Sequence, residues 1–155
     1  MNNNLIITIG REYGTGGREI GQKLALRLGI PFYDRELITR AAKKTGFDEK
    51  LFEQLDKRAT NSFLYSLTMF GSVGLNGMSL TDQLYLAQSN VIREMAEESS
   101  CVIVGRCADF ILQDKADCLK IFIHADMAFR AKRIVEVYGE RDQAPEERLR
   151  DKDKR

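Results

Sequence analysis

Residues 5–29 read LIITIGREYGTGGREIGQKLALRLG, and they contain a strand, a loop and a helix in that order. The run from Leu5 to Ile9 is apolar or β-branched and predicts a short buried strand. A glycine-rich loop follows from Gly10 to Gly17. Helical spacing then begins at Arg18 and ends before Gly29, and its apolar positions are Ile20, Leu24, Ala25 and Leu28. This order is typical of an α/β phosphate-binding unit.

The glycine loop is suited to binding an anion, because glycine lets backbone N–H groups approach phosphate oxygens closely. The standard P-loop pattern G-x-x-x-x-G-K-[ST] is not present. When Gly14-Thr15-Gly16 is aligned with its small-residue turn, Gly17 takes the lysine position and Arg18 the Ser/Thr position. Arg18 could then supply the missing cation, and Thr15 could substitute as the hydroxyl that holds Mg²⁺.

Two other interpretations of the glycine loop stay open. It could be a strand-to-helix turn that binds no ligand. It could also be a dinucleotide-binding fingerprint, although the third glycine of G-x-G-x-x-G falls on Glu19.

Further strands and helices alternate along the rest of the chain. The predicted strands are 31–34, which ends in an acid, and 100–104 and 119–123, which are buried. The predicted helices are 35–45, 48–57, 82–98, 127–138 and 146–155. This alternation indicates parallel βαβ units. We therefore expect an α/β fold, with a central parallel sheet flanked by helices in three layers, as in P-loop kinases.

Composition limits the domain organisation and the partners. The chain has 155 residues, enough for a single domain over 1–155, and its formal net charge of +1 argues against a nucleic-acid partner. No secretory signal is predicted at the start. The uncharged segment 61–81 contains three glycines and several polar residues, so we expect a flexible acceptor-side segment and no membrane span. Region 130–155 has the charge density expected of a lid.

The three cysteines favour a reducing, cytoplasmic location. Cys101, Cys107 and Cys118 are odd in number and have no C-x-x-C spacing, so reduced thiols in or beside the core are expected. With His124 as the single histidine, a zinc site is not expected.

Arginines and one aspartate stand where ligands bind in parallel sheets. Arg106 comes directly after the strand 100–104, at the sheet edge where ligands bind, and its planar fork suits phosphate. Asp34 could hold a ribose or base, or cap the next helix. Lid arginines could neutralise a transferring phosphoryl group, and the candidates are Arg130, Arg133, Arg141, Arg148, Arg150 and Arg155. A surface ion pair is the alternative for Arg106, and a solvated charged face is the alternative for the lid arginines.

Five segments together carry a resemblance to a known family. They are ITIGREYGTGGREIG, PFYDREL, AQSNVIREMAE, CVIVGRCADFIL and LKIFI. The sequence resembles the cytidylate kinase-like family, relatives of the P-loop nucleoside monophosphate kinases. In those kinases a strand is followed by Gly-Arg-Asp, and the arginine binds the acceptor phosphate. Gly105 and Arg106 match this segment, whereas Cys107 replaces the aspartate.

The resemblance also implies an acceptor segment and a lid. Asp34 and Arg40 reproduce the six-residue spacing of the acceptor segment of those kinases. Their Arg/Asp-rich lid is similar to Arg150, Asp153 and Arg155. Family members continue beyond the lid with another strand and a closing helix, and we expect this chain to lack both.

The function that the resemblance implies is a cytidylate-like nucleotide kinase. It would transfer the γ-phosphoryl group of ATP, with Mg²⁺, to a nucleoside monophosphate or a similar small acceptor. The donor phosphates would bind at Gly14 to Arg18. Arg18, Arg106, Arg130 and Arg133 would stabilise the transferring group. The expected partner is a small-molecule nucleotide. The alternatives are a phosphotransferase with a different small acceptor and a non-catalytic module that binds nucleotide or phosphate.

Overall fold

The strands of the central sheet form from the apolar and β-branched runs of the sequence. A computed structural model of the chain describes residues 4–34, 40, 44, 80–139 and 144–153. Its strands are β1 (Ile6–Arg11), β2 (Phe32–Tyr33), β3 (Cys101–Val104) and β4 (Cys118–Ile123). Its helices are α1 (Gly17–Leu28), α2 (Leu80–Glu98), α3 (Ala108–Ile111), α4 (Met127–Tyr138) and α5 (Pro145–Asp153).

The four strands form one parallel sheet in the order β2-β3-β1-β4. At its centre, Ile9 of β1 pairs with Val104 of β3 on one side and with Ile121 of β4 on the other. Helices cross between successive parallel strands, and the predicted α/β fold class is therefore confirmed. Because β1 and β3 are neighbours, the glycine loop after β1 and the turn after β3 leave the sheet side by side.

One core cluster joins α1 to the sheet. Its buried residues are Ile7, Ile9, Ala25, Val102 and Val104, and Leu24, Ile30, Phe32, Ile121 and Ile123 pack against them. Burying each large aliphatic side chain stabilises the fold by about 1.5–3 kcal/mol relative to exposure. The cluster thus anchors the helix whose first turn begins at the glycine loop.

Small residues form the buried face of α1. Gly17, Gly21 and Ala25 are buried at four-residue intervals, whereas Ile20 and Leu28 are about half exposed. The predicted apolar face is therefore wrong at these two positions. The reason is the close approach of the helix to the sheet, which leaves no room for larger side chains along the contact.

Strand β4 lies at the edge of the sheet and is not buried on both faces. Leu119 is 53% exposed and Phe122 is 65% exposed. The prediction of a fully buried strand over 119–123 is wrong for these two residues. In the described part of the chain β4 has β1 as its single neighbour in the sheet.

A second cluster joins the last two described helices. Ala131 and Ile134 of α4 and Leu149 of α5 are buried together, and Tyr13 of the glycine loop packs against them. Helix α4 begins at Asp126, whose side chain accepts a hydrogen bond from the backbone N–H of Phe129 at 2.7 Å. This cluster connects the glycine loop to the predicted lid region.

The chain divides into two units, one formed by Met1–Asp34 with Ala96–Arg155 and the other by Arg35–Met95. The single domain over 1–155 stays a prediction. Residues 40 and 44 are helical, but the rest of the helices predicted over 35–45 and 48–57, and all but two residues of segment 61–81, lie outside the described residues.

Helix α2 agrees with the predicted helix over 82–98. Val91, Ile92 and Met95, which share its predicted apolar face, are buried. No described helix is both long enough and apolar enough to cross a membrane.

Candidate functional site

The glycine loop connects β1 to α1 through two left-handed residues. Gly14 has φ 84° and Gly16 has φ 82°, a region in which a side chain is strained. Gly16 is the N-cap of α1 and provides no side-chain cap, so the first N–H groups of the helix have no capping oxygen from that residue. Such N–H groups, together with the positive end of the helix dipole, are suited to binding an anion.

Thr15 stabilises the loop from inside. Its Oγ1 donates to the backbone oxygen of Glu12 at 2.9 Å and accepts from the backbone N–H of Gly17 at 3.3 Å. These bonds use the hydroxyl proton and one of its two lone pairs. The predicted role of Thr15 as a metal ligand stays a prediction. A metal would bind to the second lone pair of its Oγ1.

Arg11 occupies the space beside the P-loop lysine position. A Cβ atom added to Gly17 would lie 2.8 Å from Cβ of Arg11 and 3.2 Å from its Cγ. The stem of the Arg11 side chain therefore runs directly over the first residue of α1. Arg11 was not among the predicted site residues: the predicted strand ended at Ile9 and left Arg11 in the glycine loop, whereas β1 extends to Arg11.

Arg18 and Asp34, which were predicted separately for the donor and the acceptor, form an ion pair. Arg18 Nε lies 2.6 Å from Asp34 Oδ2. The Arg18 side chain is about half exposed, so the pair contributes at most about 1 kcal/mol to stability. The pair connects the start of α1 to the residue that follows β2, and it brings the predicted donor and acceptor sides into one place.

The turn after β3 contains three consecutive residues with positive φ. Gly105, Arg106 and Cys107 have φ of 75°, 59° and 53°. For residues other than glycine this conformation costs about 1–2 kcal/mol each. The Gly105 N–H donates to the backbone oxygen of Ile9 at 2.9 Å, which ties the turn to β1. Arg106 is thus held at the sheet edge by a strained turn, and strain of this kind is common at functional sites.

Arg130 is a buried residue that holds the loop and is not an exposed lid residue. It is 4% exposed, and its Nη1 lies 2.9 Å from both carboxylate oxygens of Asp153. The same nitrogen donates to the backbone oxygen of Tyr13 at 3.3 Å, and Nε lies 3.5 Å from Glu12 Oε2. The sequence offers no local signal for this network, because Glu12 and Tyr13 lie more than 110 residues before Arg130.

Arg133 lies across the glycine loop. Its guanidinium nitrogens and carbon lie 3.0–3.1 Å from where a Cβ of Gly16 would stand, and Nη2 lies 2.5 Å from Glu19 Oε2. Hydrogen bonds from Lys23 and Arg133 to the Glu19 carboxylate lower the pKa of Glu19. Arg133 is thus, with Arg130, a predicted lid arginine that the structure brings against the glycine loop.

The other predicted site residues are distributed more widely. Arg40 is exposed in the unit Arg35–Met95, Arg150 is exposed on α5, and Asp153 is paired with Arg130. Arg141 and Arg155 lie outside the described residues. The site roles predicted for these residues stay predictions.

The cysteines are free thiols in different environments. Cys101 is buried, and this burial raises the pKa of its thiol to about 11. Cys107 is exposed in the strained turn, contrary to the expected position in or beside the core, and Cys118 is intermediate. Within the described residues, no group of three His, Cys, Asp or Glu side chains is placed to hold a metal ion.

Comparisons with known proteins identify the family. No curated protein matches the chain. Among solved structures, the chain is similar to a protein of Eubacterium ventriosum described as uncharacterized, with 29% sequence identity and a TM-score of 0.66. That match covers 97% of this chain and 72% of the other. The family model described as the cytidylate kinase-like family matches residues 6–155. The chain therefore belongs to the cytidylate kinase-like family.

Proposed function

We propose that this protein is a nucleotide kinase that transfers the γ-phosphoryl group of ATP to a nucleoside monophosphate or a similar small acceptor. The observation that carries the proposal is the adjacency of two phosphate-binding features at one sheet edge. The loop Gly14–Gly17 follows β1, and the turn Gly105–Cys107 follows the neighbouring strand β3. Parallel α/β sheets bind ligands at this edge.

The glycine loop is the proposed donor subsite. The N–H groups of Gly14 to Arg18 would hold the β- and γ-phosphates, and the N-terminus of α1 would add positive potential. Arg18 remains partly exposed beside the loop, so its remaining guanidinium nitrogens could reach a phosphate oxygen while Nε stays on Asp34.

The turn after β3 is the proposed acceptor subsite. Arg106 would bind the acceptor phosphate, since its planar fork matches two phosphate oxygens. Asp34 and Arg40 would complete the acceptor side through the sugar or base and the phosphate. A phosphate acceptor is already anionic, so no general base is needed and catalysis depends on positioning and electrostatics.

Mg²⁺ is the proposed second cofactor, and when bound it would neutralise charge on the transferring phosphoryl group. The hydroxyl of Thr15 in the glycine loop is the described oxygen donor that fits a metal otherwise held by the phosphates. Thr15 is the proposed protein ligand through its remaining lone pair. Among the lid arginines we assign Arg133 to the transferring group, together with Arg150 and Arg155, and we assign Arg130 to positioning the loop.

A coupled assay with ATP, Mg²⁺ and a panel of nucleoside monophosphates tests the proposal. We expect turnover with at least one of them, and a fall in kcat/KM of about 100-fold or more for Arg106→Ala. Arg27→Ala is the matched control, because Arg27 is an exposed arginine at the far end of α1. No turnover with any nucleoside monophosphate would contradict the proposal.

A phosphotransferase with a different acceptor is the second candidate. The observation that favours it is Cys107, which replaces the family's aspartate and lies exposed in the strained turn. A thermal-shift screen of phosphorylated and unphosphorylated small molecules separates the two candidates. Preferential stabilisation by CMP would count against a different acceptor.

A non-catalytic nucleotide-binding module is the third candidate. It is favoured by the ion pairs Arg18–Asp34 and Arg133–Glu19, which occupy two of the arginines proposed for phosphoryl transfer. Binding of ATP measured by calorimetry, without turnover in the same preparation, is its expected signature. A kinase rate that Arg18→Ala abolishes without unfolding the chain would exclude it.

A further inference from the structure

The side chain of Arg11 passes over the residue that takes the lysine position of a P-loop. If Gly17 had a Cβ atom, that atom would lie 2.8, 3.2 and 3.3 Å from Cβ, Cγ and Cδ of Arg11. The first distance is shorter than real Cβ contacts allow, and the atom it meets is fixed by the backbone of β1. Any side chain at Gly17, a lysine included, therefore requires β1 or α1 to shift while Arg11 is present.

The charged end of Arg11 reaches the turn after β3. A Cβ atom on Gly105 would lie 3.5 Å from Nη1 of Arg11 and 3.8 Å from its Cζ. The side chain thus runs from the first residue of α1 to the residue that precedes Arg106. Its guanidinium group lies between the glycine loop and the turn, where the proposed donor and acceptor phosphates would meet.

Arg11 also differs from the neighbouring arginines in its charge environment. Arg18 is paired with Asp34, and Arg133 with Glu19. Among the residues that the structure describes, no carboxylate forms an ion pair with Arg11. Its positive charge is therefore available to an anion without the loss of an existing ion pair.

We propose that Arg11 replaces the P-loop lysine as the cation that binds the donor phosphates. The lysine would reach them from the start of the helix, whereas Arg11 reaches them from the end of the strand, and Gly17 makes room for it. A guanidinium group can bind two phosphate oxygens at once, which a lysine ammonium cannot do with the same geometry. This inference rests on the proposed nucleotide kinase function and adds a phosphate-binding residue to it.

Calorimetric titration of the full chain with pyrophosphate and with ATP tests the role of Arg11. For Arg11→Ala we expect at least ten-fold weaker binding of both probes, with partial recovery in Arg11→Lys, while Arg27→Ala stays within two-fold of the wild type. An Arg11→Ala affinity within two-fold of a measurable wild-type affinity would overturn the inference and leave the proposed kinase function intact. A wild-type chain that binds neither probe would overturn both.

An exchange of positions tests the geometry by melting temperature and by pyrophosphate binding. Gly17→Lys alone should lower the melting temperature, because its Cβ meets the stem of Arg11. In an Arg11→Gly background the same substitution should lower the melting temperature less. The double variant should also recover pyrophosphate binding relative to Arg11→Gly. An equal loss of melting temperature in both backgrounds, or no recovery of binding, would refute the replacement.

Discussion

Substituting Gly21 by alanine tests the close approach of α1 to the sheet. A Cβ atom at Gly21 would lie 2.7 Å from Val104 Cγ2, 3.1 Å from Phe32 Cε2 and 3.3 Å from Ile9 Cδ1. Carbon atoms pack best at about 3.5–4.0 Å, so the helix would have to move by up to about 1 Å. Gly21 is the point at which the whole helix, and the loop before it, is held close to the strands.

The expected size of the effect follows from two opposing contributions. Alanine in place of glycine in a helix interior stabilises by about 1 kcal/mol. Overpacking a core typically costs about 1–3 kcal/mol, and three simultaneous close contacts favour the upper end. We therefore expect Gly21→Ala to lower the free energy of unfolding by about 2 kcal/mol. For a chain of this size that corresponds to roughly 4–8 °C in melting temperature.

Urea and thermal unfolding followed by circular dichroism measure this change. The matched control is the adjacent exposed position Gln22, where the variants Gln22→Ala and Gln22→Gly measure the glycine–alanine difference of α1 without overpacking. The double variant Gly21→Ala with Val104→Ala should lose less free energy of unfolding than the two single variants lose together, because Val104→Ala removes the closest contact. If Gly21→Ala is as stable as the wild type or more stable, the packing argument is refuted.

Three further predictions concern Arg130 and the thiols. Arg130→Ala should lower the free energy of unfolding by about 3 kcal/mol, because it removes a buried side chain together with its hydrogen bonds to Tyr13 and Asp153, whereas Lys132→Ala on the exposed side of α4 should change it by less than about 0.5 kcal/mol. Urea unfolding measures both, and equal effects would contradict a structural role of Arg130. At pH 8, iodoacetamide should modify Cys107 well before Cys101, and peptide mass spectrometry should detect the order. Because the pKa of Cys101 is raised to about 11, the folded state keeps a proton that the unfolded state releases. As pH rises from about 9 to about 11, the free energy of unfolding of the wild type should therefore fall relative to that of Cys101→Ala. A pH-independent difference between the two would contradict the burial of Cys101.

Local signals in the sequence were sufficient for much of the fold. The predicted helix over 127–138 has the bounds of α4, because Asp126 caps its start and Gly139 ends it in a left-handed conformation. The helix before Gly29 was found for the same reason, whereas β1 continues beyond the predicted strand end at Ile9, through Gly10 to Arg11. Capping and periodicity depend on residues a few positions apart, so they can be recognised in the sequence alone.

Partners that are distant along the chain could not be predicted. Arg130 was expected to act in a lid, yet it is buried against Glu12, Tyr13 and Asp153. Arg18 and Asp34 were assigned to separate ligands and instead face each other. Which charges meet depends on the strand order and on the crossing of helices, and these are long-range properties of the packed chain.

The sequence by itself determined that residues 5–29 form a strand, a glycine loop and a helix, because propensity, periodicity and glycine conformation are local. It also predicts that Gly17 aligns with the lysine of a P-loop. Only the tertiary structure decided what takes the place of that lysine's side chain. Arg11 lies over Gly17 because β1 and α1 approach closely, and its guanidinium group reaches Gly105 because β3 is the neighbour of β1. This proximity arises from tertiary packing and does not follow from the six residues that separate Arg11 and Gly17 in the sequence.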